Sequence, residues 1–476
     1  MKIQHYISAI VLIILSATLT ISCTDDKVST DSRYKLSFSE DTHTFDTIFT
    51  TIGSTTAKVK VYNNNKVALN ISSISLAHGA NSPFKLNVSG KSSSTQFFSN
   101  TFIRAKDSMY IFVQITVNPT NQNSPFLIQD SIIFSVNGNT QYLRLEAFGQ
   151  NIIILKNATI GDTTLTNAKP YLIYGNLTAN NLTIDKGCTL YFHNNAGLII
   201  NGNLNAVGTL LEPITLRGDR LDDVFKDTPY DSFSGLWNGI KFTAETGVHQ
   251  LEYVNLRNAI TGINIGGENT LQPQLSIKNS IINNFDSCGV MAKNVKLEII
   301  NSQISNCGQY CLKIQGGEFN IIHCTIANYF ANRTDKNISV LIKNYDNTNG
   351  LILYPITQGN FKNSIIYGNK DEELTLDYKI NNVPVTTDFN VNVTSCLIKG
   401  ASSTDSHFSN ILWSSSSQLV FVNTAKYPFN FQLLQNSPAR NTADIATANL
   451  YPTDIKGISR LADGQPDMGA YEWVQP

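Results

Sequence analysis

Apolar and polar residues alternate along several short stretches in the first third of the chain. The alternation runs through residues 57–62, 109–117 and 132–147, and the last stretch contains an Asn-Gly pair. A period of two places alternate side chains on opposite faces of a strand, and Asn-Gly is a typical two-residue hairpin turn. The pattern predicts an antiparallel β-sandwich with one wet face on each sheet.

A different pattern governs the second half of the chain, where one motif recurs every 22 residues. The motif begins at Leu275, at Leu297 and at Phe319, and shorter echoes occur at residues 363–366 and 395–398. Helical repeats of this length would need about ten continuous residues with a 3.6-residue period, which are absent here. A period of 22 with two or three short strands predicts one coil of a parallel β-helix.

The repeats also predict which side chains point inward. We expect two buried columns, one formed by Ile277, Ile299 and Ile321 and the other by Ile282, Ile304 and Ile326. Each set recurs at the same position of the repeat, on the same face of its strand, and carries no charge. Asn279 and Asn301 fall at one corner, where stacked amides can satisfy each other along the axis. His323 takes the same position and is interpreted as a structural substitute.

Length and composition agree with an almost all-β protein of two or three domains. The chain has 476 residues, of which 42% are hydrophobic and only 15% charged, with a net charge of -1. The hydrophobic content excludes a disordered chain. The near-neutral net charge gives no sign of the basic surface that binds nucleic acid. We therefore expect a monomer that does not bind nucleic acid.

The N-terminus has the proportions of a signal peptide, with a weakly basic start and a mostly apolar run over residues 7–21. Ser22 directly before Cys23 resembles the lipobox of bacterial lipoproteins, which implies cleavage before Cys23 and lipid on that residue. Asp25 and Asp26 follow and resemble the surface-export signal of Bacteroidetes lipoproteins. The resemblance implies an outer-membrane lipoprotein that faces the cell exterior. The alternatives are a secretory signal or uncleaved anchor with an incidental cysteine, and a merely solvated acidic tether.

Phrases further along the chain resemble modules of bacterial surface proteins. Residues 45–53 and 147–150 are similar to an Ig-like module found before β-helices in Bacteroidetes, where it would act as a spacer or cap. Residues 237–242, 454–457 and 467–472 resemble pectate-lyase-like β-helix proteins. The implied domains are a signal peptide (1–22), a tether (23–34), an Ig-like β-sandwich (35–150) and a right-handed parallel β-helix with a C-terminal closing segment (151–476).

Many enzymes of this β-helix class cleave acidic glycans with charges that converge in one groove. A lyase holds the sugar carboxylate, often through Ca²⁺, and needs a base, whereas a hydrolase needs two carboxylates. The sheet faces here are poor in acids. We expect Glu252 and Glu298 to share a column but to lie roughly 10 Å apart, and Lys278 to stand alone in its column. This sparsity favours a protein that is not an enzyme.

The main exception is an acidic segment between Leu216 and Trp237 that interrupts the coils. Its candidate residues for holding a cation or a glycan are Asp219, Asp222, Asp223, Asp227 and Asp231. Ca²⁺ is the cation that such a cluster would take. Folding back over the sheet would bring these carboxylates beside Lys241 or Arg257. The alternative is a solvated loop whose charges keep it off the sheet. Elsewhere the sequence predicts no metal and no cofactor.

Aromatic side chains are a second candidate feature, because their faces can stack on sugars. Trp237, Tyr310 and Tyr329 are the candidate stacking residues. For Trp237 the alternative is packing, since the Trp-Asn-Gly-Ile pattern opens a coil.

The cysteines after Cys23 show no metal-ligand spacing. They are Cys188, Cys288, Cys307, Cys311, Cys324 and Cys396. Buried free thiols are the leading interpretation, and one disulfide among Cys288, Cys307 and Cys311 is the alternative.

The leading functional hypothesis is therefore a cell-surface lipoprotein that acts in binding, adhesion or envelope structure. Its partners would be the outer membrane, through lipid on Cys23, and a polysaccharide. The alternative function is a polysaccharide lyase or glycoside hydrolase of the pectate-lyase-like class.

Overall fold

The computed structural model describes residues 27–225, 227–267, 273–331, 333, 337–414 and 418–475. Strands account for 51% of the structure and helices for 3%, so the protein is all-β, as the sequence predicts. The chain divides into two compact units between Asn151 and Ile152. The predicted signal peptide, Cys23, Asp25 and Asp26 lie outside the described residues. No helix in the described part of the chain is long and apolar enough to cross a membrane.

The N-terminal unit contains two five-stranded sheets around one hydrophobic core. Its strands are β1 (Ser37–Phe38), β2 (Thr42–Phe49), β3 (Ala57–Tyr62), β4 (Leu69–Leu76), β5 (Phe84–Val88), β6 (Lys91–Ser92), β7 (Phe97–Ile103), β8 (Ser108–Ile115), β9 (Phe126–Val136) and β10 (Asn139–Gln150). The first sheet has the order β1-β3-β8-β5-β6 and the second β2-β10-β9-β4-β7. All pairs are antiparallel except β2–β10. A short 3₁₀ turn covers Gly79–Asn81.

The alternation read from the sequence sets the two faces of these sheets. Val59 and Val61 are fully buried, whereas Lys58 and Lys60 between and beside them point outward. Removing the valine side chains from water favours this orientation. The β9–β10 hairpin turns at Asn137 and the glycine after it, which both have positive φ, as a two-residue hairpin of this kind requires.

The C-terminal unit is a stack of short strands. In chain order they are β11 (Ile153–Lys156), β12 (Thr159–Ile160), β13 (Thr163–Leu165), β14 (Tyr171–Tyr174), β15 (Asn176–Ala179), β16 (Leu182–Ile184), β17 (Thr189–Phe192), β18 (Gly197–Ile200), β19 (Leu204–Val207), β20 (Ile214–Gly218), β21 (Asp223–Phe225), β22 (Thr228–Pro229), β23 (Ile240–Phe242), β24 (Val248–Glu252), β25 (Val254–Arg257), β26 (Ile263–Gly266), β27 (Gln274–Lys278), β28 (Ile281–Phe285), β29 (Val290–Ile300), β30 (Gln303–Cys307), β31 (Leu312–Ile322), β32 (Thr325–Asn328), β33 (Val340–Lys343), β34 (Tyr345–Asp346), β35 (Ile352–Leu353), β36 (Ile356–Lys362), β37 (Ile365–Gly368), β38 (Leu374–Asp377), β39 (Lys379–Ile380), β40 (Val383–Pro384), β41 (Phe389–Thr394), β42 (Leu397–Lys399), β43 (Phe408–Ser409), β44 (Leu412–Ser414), β45 (Phe421–Asn423) and β46 (Asn430–Leu433). A 3₁₀ turn covers Tyr230–Ser232, and the helix α1 covers Ile445–Leu450.

Two long sheets run the length of this unit and enclose its core. The 11-stranded sheet has the order β11-β14-β17-β20-β25-β28-β30-β32-β37-β42-β44. The 17-stranded sheet contains two strand positions in each coil, which merge into one long strand at β29 and β31. Neighbouring strands pair in parallel from one coil to the next. The unit is therefore a nearly closed parallel β-solenoid, as the 22-residue repeat predicts.

The inward columns predicted from the repeat are confirmed. Ile277 pairs with Ile299 and Ile299 with Ile321 in adjacent strands. The second column, which runs from Ile282 through Ile304 to Ile326, has the same register. All six side chains are fully buried in the solenoid core, so the period of the sequence is the period of the coil.

One prediction about the outer face of the 17-stranded sheet is wrong. Glu252 shares a column with Lys278, not with Glu298. Glu298 aligns instead with Ser276, two residues earlier along the strand. Lys278 does not stand alone, since its ammonium lies 2.8 Å from Glu298. The error arose because residues two positions apart on a strand point to the same face of the sheet. The inward or outward direction of a residue therefore does not assign it to one column.

At the corner of the coil that follows the 17-stranded sheet, one residue in each of several coils has a left-handed backbone conformation. We call these residues the corner column. Asn279, Asn301, His323, Asn363 and Ser395 take this position in successive coils, with φ between 49° and 52°. Asn tolerates this region better than most residues. The predicted contact between the amides of Asn279 and Asn301 is not found, because Asn279 donates to Glu252 Oε1. Further along the column Asn363 lies 3.1 Å from His323 Nε2, which supports His323 as a structural substitute. Asn301 instead donates to Thr453 O and accepts from Arg460.

The closing segment, residues 418–475, packs against the outer face of the 11-stranded sheet. Ile365 and Leu397 of the sheet form a separate apolar cluster with Phe421, Phe431 and other residues of the closing segment. Polar contacts also hold the closing segment in place on the sheet, and one of them is the hydrogen bond that Tyr471 donates to Gln303 Oε1 at 2.6 Å. This face of the sheet is therefore covered by the chain itself over its later coils.

The six described cysteines are all free and buried, so the leading interpretation of buried thiols agrees with the structure and the disulfide alternative does not. Burial raises the pKa of Cys324 and of Cys396 to about 12, which keeps both thiols neutral. They act as small apolar fillers of the core.

Candidate functional site

The acidic segment leaves the solenoid after β20 and returns at Trp237. We call residues 219–236 the first excursion. It contains the β21–β22 hairpin and the 3₁₀ turn Tyr230–Ser232. Asn258 and Asn284, from the two following coils, donate their side-chain amides to Asp231 O, at 2.8 and 3.2 Å. The excursion is thus tied back onto the sheet.

The five aspartates of the first excursion do not converge on one point. Asp219 lies 2.6 Å from His193 Nδ1, and Asp222 binds Arg220 through both carboxylate oxygens. Asp223 and Asp227 are exposed. Among the described residues, no group of three or more His, Cys, Asp and Glu side chains could hold a metal ion. The predicted carboxylate ligands of a Ca²⁺ ion are therefore dispersed into separate contacts.

Asp231 is the exception, because it meets two arginines from the sheet. Arg257 Nε donates to Asp231 Oδ1 at 2.8 Å, and Arg217 Nη2 lies 3.1 Å from the same oxygen. Tyr427 of the closing segment donates its hydroxyl to Asp231 Oδ2 at 2.5 Å. The contact with Arg257 is the one expected if the loop folds back over the sheet. We call Arg217, Arg257, Asp231 and Tyr427 the arginine cluster.

The solenoid register places the two arginines side by side. Leu216 and Leu256 are inward partners in adjacent strands, so Arg217 and Arg257, which follow them, both point outward. Tyr191, one coil earlier, aligns with Arg217. Strands in neighbouring coils lie roughly 4.8 Å apart. Two guanidinium groups that contact the same carboxylate oxygen repel each other, and that one carboxylate offsets only one positive charge.

Burial and neighbouring charges set the protonation states of the arginine cluster. Burial alone would raise the pKa of Asp231, but Arg257 and Arg217 outweigh it and hold that pKa below its usual value. Burial and Arg257 lower the pKa of Arg217 from its ordinary, very high value. Burial and Asp231 raise the pKa of Tyr427 to about 12. Near neutral pH, Asp231 is therefore a carboxylate and Tyr427 a hydrogen-bond donor, so neither is well matched to acid–base catalysis.

The first excursion also carries aromatic side chains. Tyr230 carries the Arg220 guanidinium over its ring at 3.8 Å, and its centroid lies 5.8 Å from that of Phe233. Phe233 is 41% exposed and Phe225 is 73% exposed. Exposed rings of this kind offer apolar faces to a ligand, since nothing else in the fold requires them outside.

Two of the three stacking residues expected from the sequence, Trp237 and Tyr329, pack against other side chains of the protein. Trp237 is fully buried and stacks on Phe192 at 3.9 Å, while its indole N–H donates to Arg257 O. It cannot meet a sugar, and the packing alternative is the correct one. Tyr329 packs against Phe421 in the closing segment's apolar cluster. Tyr310 is half-exposed, with Lys313 5.8 Å from its ring centre.

Sequence reasoning missed Arg217 and Tyr427 as parts of the site. Arg217 could have been found from the alternation of inward and outward residues, because it follows the inward Leu216 just as Arg257 follows the inward Leu256. Tyr427 carries no such signal, since it lies 196 residues from Asp231 in a segment without repeats.

Two surface clefts lie away from the arginine cluster. One of about 420 Å³ is lined by Asp185, Lys186 and neighbours on the early coils, and one of about 310 Å³ by His78, Asp130 and neighbours in the N-terminal unit. Neither combines paired cations with exposed aromatic rings. The chemistry of the arginine cluster is therefore the reason to consider it the candidate site.

Comparisons with known proteins do not assign the chain to a family. No family model matches it, and no curated protein matches it. A family 123 glycoside hydrolase from Clostridium perfringens aligns at 9% identity with a TM-score of 0.17, over 24% of this chain and 25% of that chain. A PapD-like (ASH) domain of human CEP192 aligns at 12% identity with a TM-score of 0.17, over 28% of this chain and 95% of that chain. Similarity this low carries no argument about fold or function.

Proposed function

We propose that the protein is a lipid-anchored cell-surface protein that binds a carboxylated polysaccharide at the first excursion. One observation carries the proposal. Two half-buried arginines share the single carboxylate of Asp231, and the exposed rings of Phe225 and Phe233 lie on the same excursion. Arg217 and Arg257 outnumber the one carboxylate that they share, which favours an anionic group at these two arginines, and the rings favour a ligand with flat apolar faces.

Arg257 is the residue best placed to contact the ligand. Within the described residues its side chain donates only to Asp231, through Nε, which leaves the two terminal amino groups for a ligand carboxylate. Its side chain is 22% exposed, against 13% for Arg217. Arg217 also donates to Gly218 O and Arg220 O, so it supports the site more than it offers free donors.

Binding is favoured over cleavage by the protonation states of the arginine cluster. A hydrolase needs a second carboxylate in the same groove, and a lyase needs a base near neutral pH. Asp231 is the single carboxylate of the cluster, and the pKa of Tyr427 is raised to about 12. Lyase or hydrolase activity is the outcome that would replace this proposal.

Two finer features of the fold belong to the same proposal. The solenoid is right-handed, because a connection between parallel strands of one sheet is almost always right-handed. The N-terminal unit is an Ig-like sandwich, which its two antiparallel-dominated sheets around one core support. Anchoring through Cys23 and display through Asp25 and Asp26 are proposed from the sequence.

The test is the affinity of the full chain for polygalacturonate, a soluble polymer of uronic acid, measured by affinity electrophoresis. Arg257→Met should weaken binding about tenfold, which corresponds to the loss of about 1.4 kcal/mol from one charge-assisted contact. Phe225→Ala should also weaken it. Arg33→Met removes an exposed arginine in the other unit and is the matched control. Unchanged affinity of both site variants, with their unfolding temperatures intact, would overturn the assignment of the site.

A further inference from the structure

A second face with cations and aromatic rings lies in the N-terminal unit. It is the outer face of the first sheet, where β3 and β8 are neighbours. We call Lys58, Lys60, Tyr62, Tyr110 and Phe112 the lysine–aromatic face. The valines that alternate with them on β3 are buried, so parity sends these side chains to the outside.

The geometry of this face is that of a continuous strip. Lys60 aligns with Tyr110, and Lys58 with Phe112. The Lys60 ammonium lies 5.1 Å from the ring centre of Tyr62 and 5.4 Å from that of Tyr110. Tyr110 and Phe112 lie 6.5 Å apart with their planes 27° from parallel. Alternate residues of one strand lie roughly 6.8 Å apart, so the rings form a row along β8 with lysines beside it.

Charge on this face has one sign. The outward positions of β3, β8 and the next strand β5 include three lysines and no Asp or Glu. Lys85 on β5 is held at the rim, since its ammonium donates to Ser82 O at 3.2 Å. Lys58 is exposed, and Tyr110 is 48% exposed. Neighbouring like charges repel unless an anion lies between them, and exposed rings in a row are costly without a partner.

We propose that the lysine–aromatic face is a second binding site, which takes one chain of an acidic polysaccharide along β8. Sugar rings would stack on Tyr110 and Phe112, and carboxylates would meet Lys58 and Lys60. The site goes beyond the proposed function, which concerns the C-terminal unit. The choice of glycan over single-stranded nucleic acid, which also combines flat rings with negative charge, rests on the proposed display at the cell surface.

The experiment uses the full chain with Arg257→Met, so that the arginine cluster contributes little. Binding to immobilised polygalacturonate is compared for the parent and for a Tyr110→Ala, Phe112→Ala double variant. We expect about a tenfold weaker affinity for the double variant, equivalent to about 1.4 kcal/mol. Tyr142→Ala is the matched control, because Tyr142 is 59% exposed on the other sheet and should bind as the parent does.

A charge variant keeps the test independent of folding. Lys58→Glu with Lys60→Glu should abolish binding at low salt while the protein stays folded, because Lys58 is exposed and Lys60 half-exposed. Parent binding should fall steeply as salt rises. Equal binding of a neutral polysaccharide, or unchanged affinity of both double variants, would overturn the proposal.

The two proposals fail in distinguishable ways. If Arg257→Met alone changes nothing and the Tyr110→Ala, Phe112→Ala variant removes all binding, the first-excursion site is wrong and the lysine–aromatic face stands. If oligo-dT binds more tightly than polygalacturonate and the same variant removes it, the face is a nucleic-acid site and the glycan proposal is wrong.

Discussion

Single residues set the corners and the buried charges of the solenoid. The corner column needs a left-handed backbone in each coil, and Asn supplies it at Asn279, Asn301 and Asn363. The closing segment uses the same column as an anchor, since Asn363 exchanges side-chain hydrogen bonds with the backbone of Asp444. A local backbone requirement thus also fixes where a distant segment docks.

Replacing a corner asparagine separates backbone strain from loss of the side chain. Asn279→Ala should destabilise the protein by roughly 1–2 kcal/mol, because alanine is poorly tolerated at positive φ. Asn279→Gly should be close to neutral, since glycine adopts this region freely. Thermal unfolding of both variants checks the expectation. Equal destabilisation by Ala and Gly would mean that the contact of Asn279 with Glu252, and not the backbone, matters.

Glu472 should make stability depend on pH. Burial and Asp467 raise its pKa to about 8, even though Arg460 lies 3.2 Å away and lowers it. The folded carboxyl therefore keeps a proton that the unfolded chain releases at lower pH. Its stabilising contribution is present at acid pH and is lost as the pH rises toward 8.

The measurement is the unfolding temperature as a function of pH for the wild type and for Glu472→Gln. The loss between about pH 5 and pH 8 should be smaller in the variant, because glutamine does not titrate. Glu298→Gln, at a partly exposed glutamate, should keep the wild-type slope. Parallel curves for wild type and Glu472→Gln would show that the carboxyl is ionised throughout.

At the scale of elements, stacking of identical positions holds the solenoid together. Each inward isoleucine aligns with an apolar residue in the coils before and after it, such as Leu251 before Ile277 and Phe361 after Ile321, so burial is continuous along the axis. This part of the fold could be predicted from the sequence, because a fixed period of 22 residues reports the register directly. The arginine cluster could be predicted only in part, since Asp231 sits in an excursion that breaks the period and Tyr427 comes from a segment without repeats.

Adjacent positions on one strand should differ sharply in their effect on stability. Ile299→Ala opens a cavity in the core column and should cost roughly 2–5 kcal/mol. Glu298→Ala, one residue earlier and outward, removes a surface ion pair with Lys278 and should cost less than about 1 kcal/mol. Thermal unfolding of the two variants compares them. Similar losses would contradict the assigned register.

On the scale of the whole molecule, the two units carry chemically similar surfaces. Each unit has paired cations and exposed aromatic rings: the arginine cluster and the rings of the first excursion in the solenoid, and the lysine–aromatic face in the N-terminal unit. The net charge of the chain is only -1, so these are local features and not consequences of a basic protein. Two sites on one chain would raise the avidity for a long polymer without further contacts.

Anchoring is the second expectation at this scale. Cys23→Ser should release the protein from membranes, because it removes the residue that would carry lipid. Replacing Asp25 and Asp26 by Ala should retain the protein at the membrane but turn it from the exterior to the periplasmic side. Membrane fractionation checks the first variant and protease accessibility of intact cells the second. Unchanged fractionation of Cys23→Ser would remove the lipoprotein proposal.

The central claim is that the protein binds a carboxylated polysaccharide and does not cleave it. Isothermal titration calorimetry of the full chain with polygalacturonate tests both parts at once, since binding heat saturates and turnover heat continues. We expect a saturating signal that weakens with salt, and no signal with a neutral polysaccharide. Heat that continues after saturation, or the absence of any binding heat, would contradict the account.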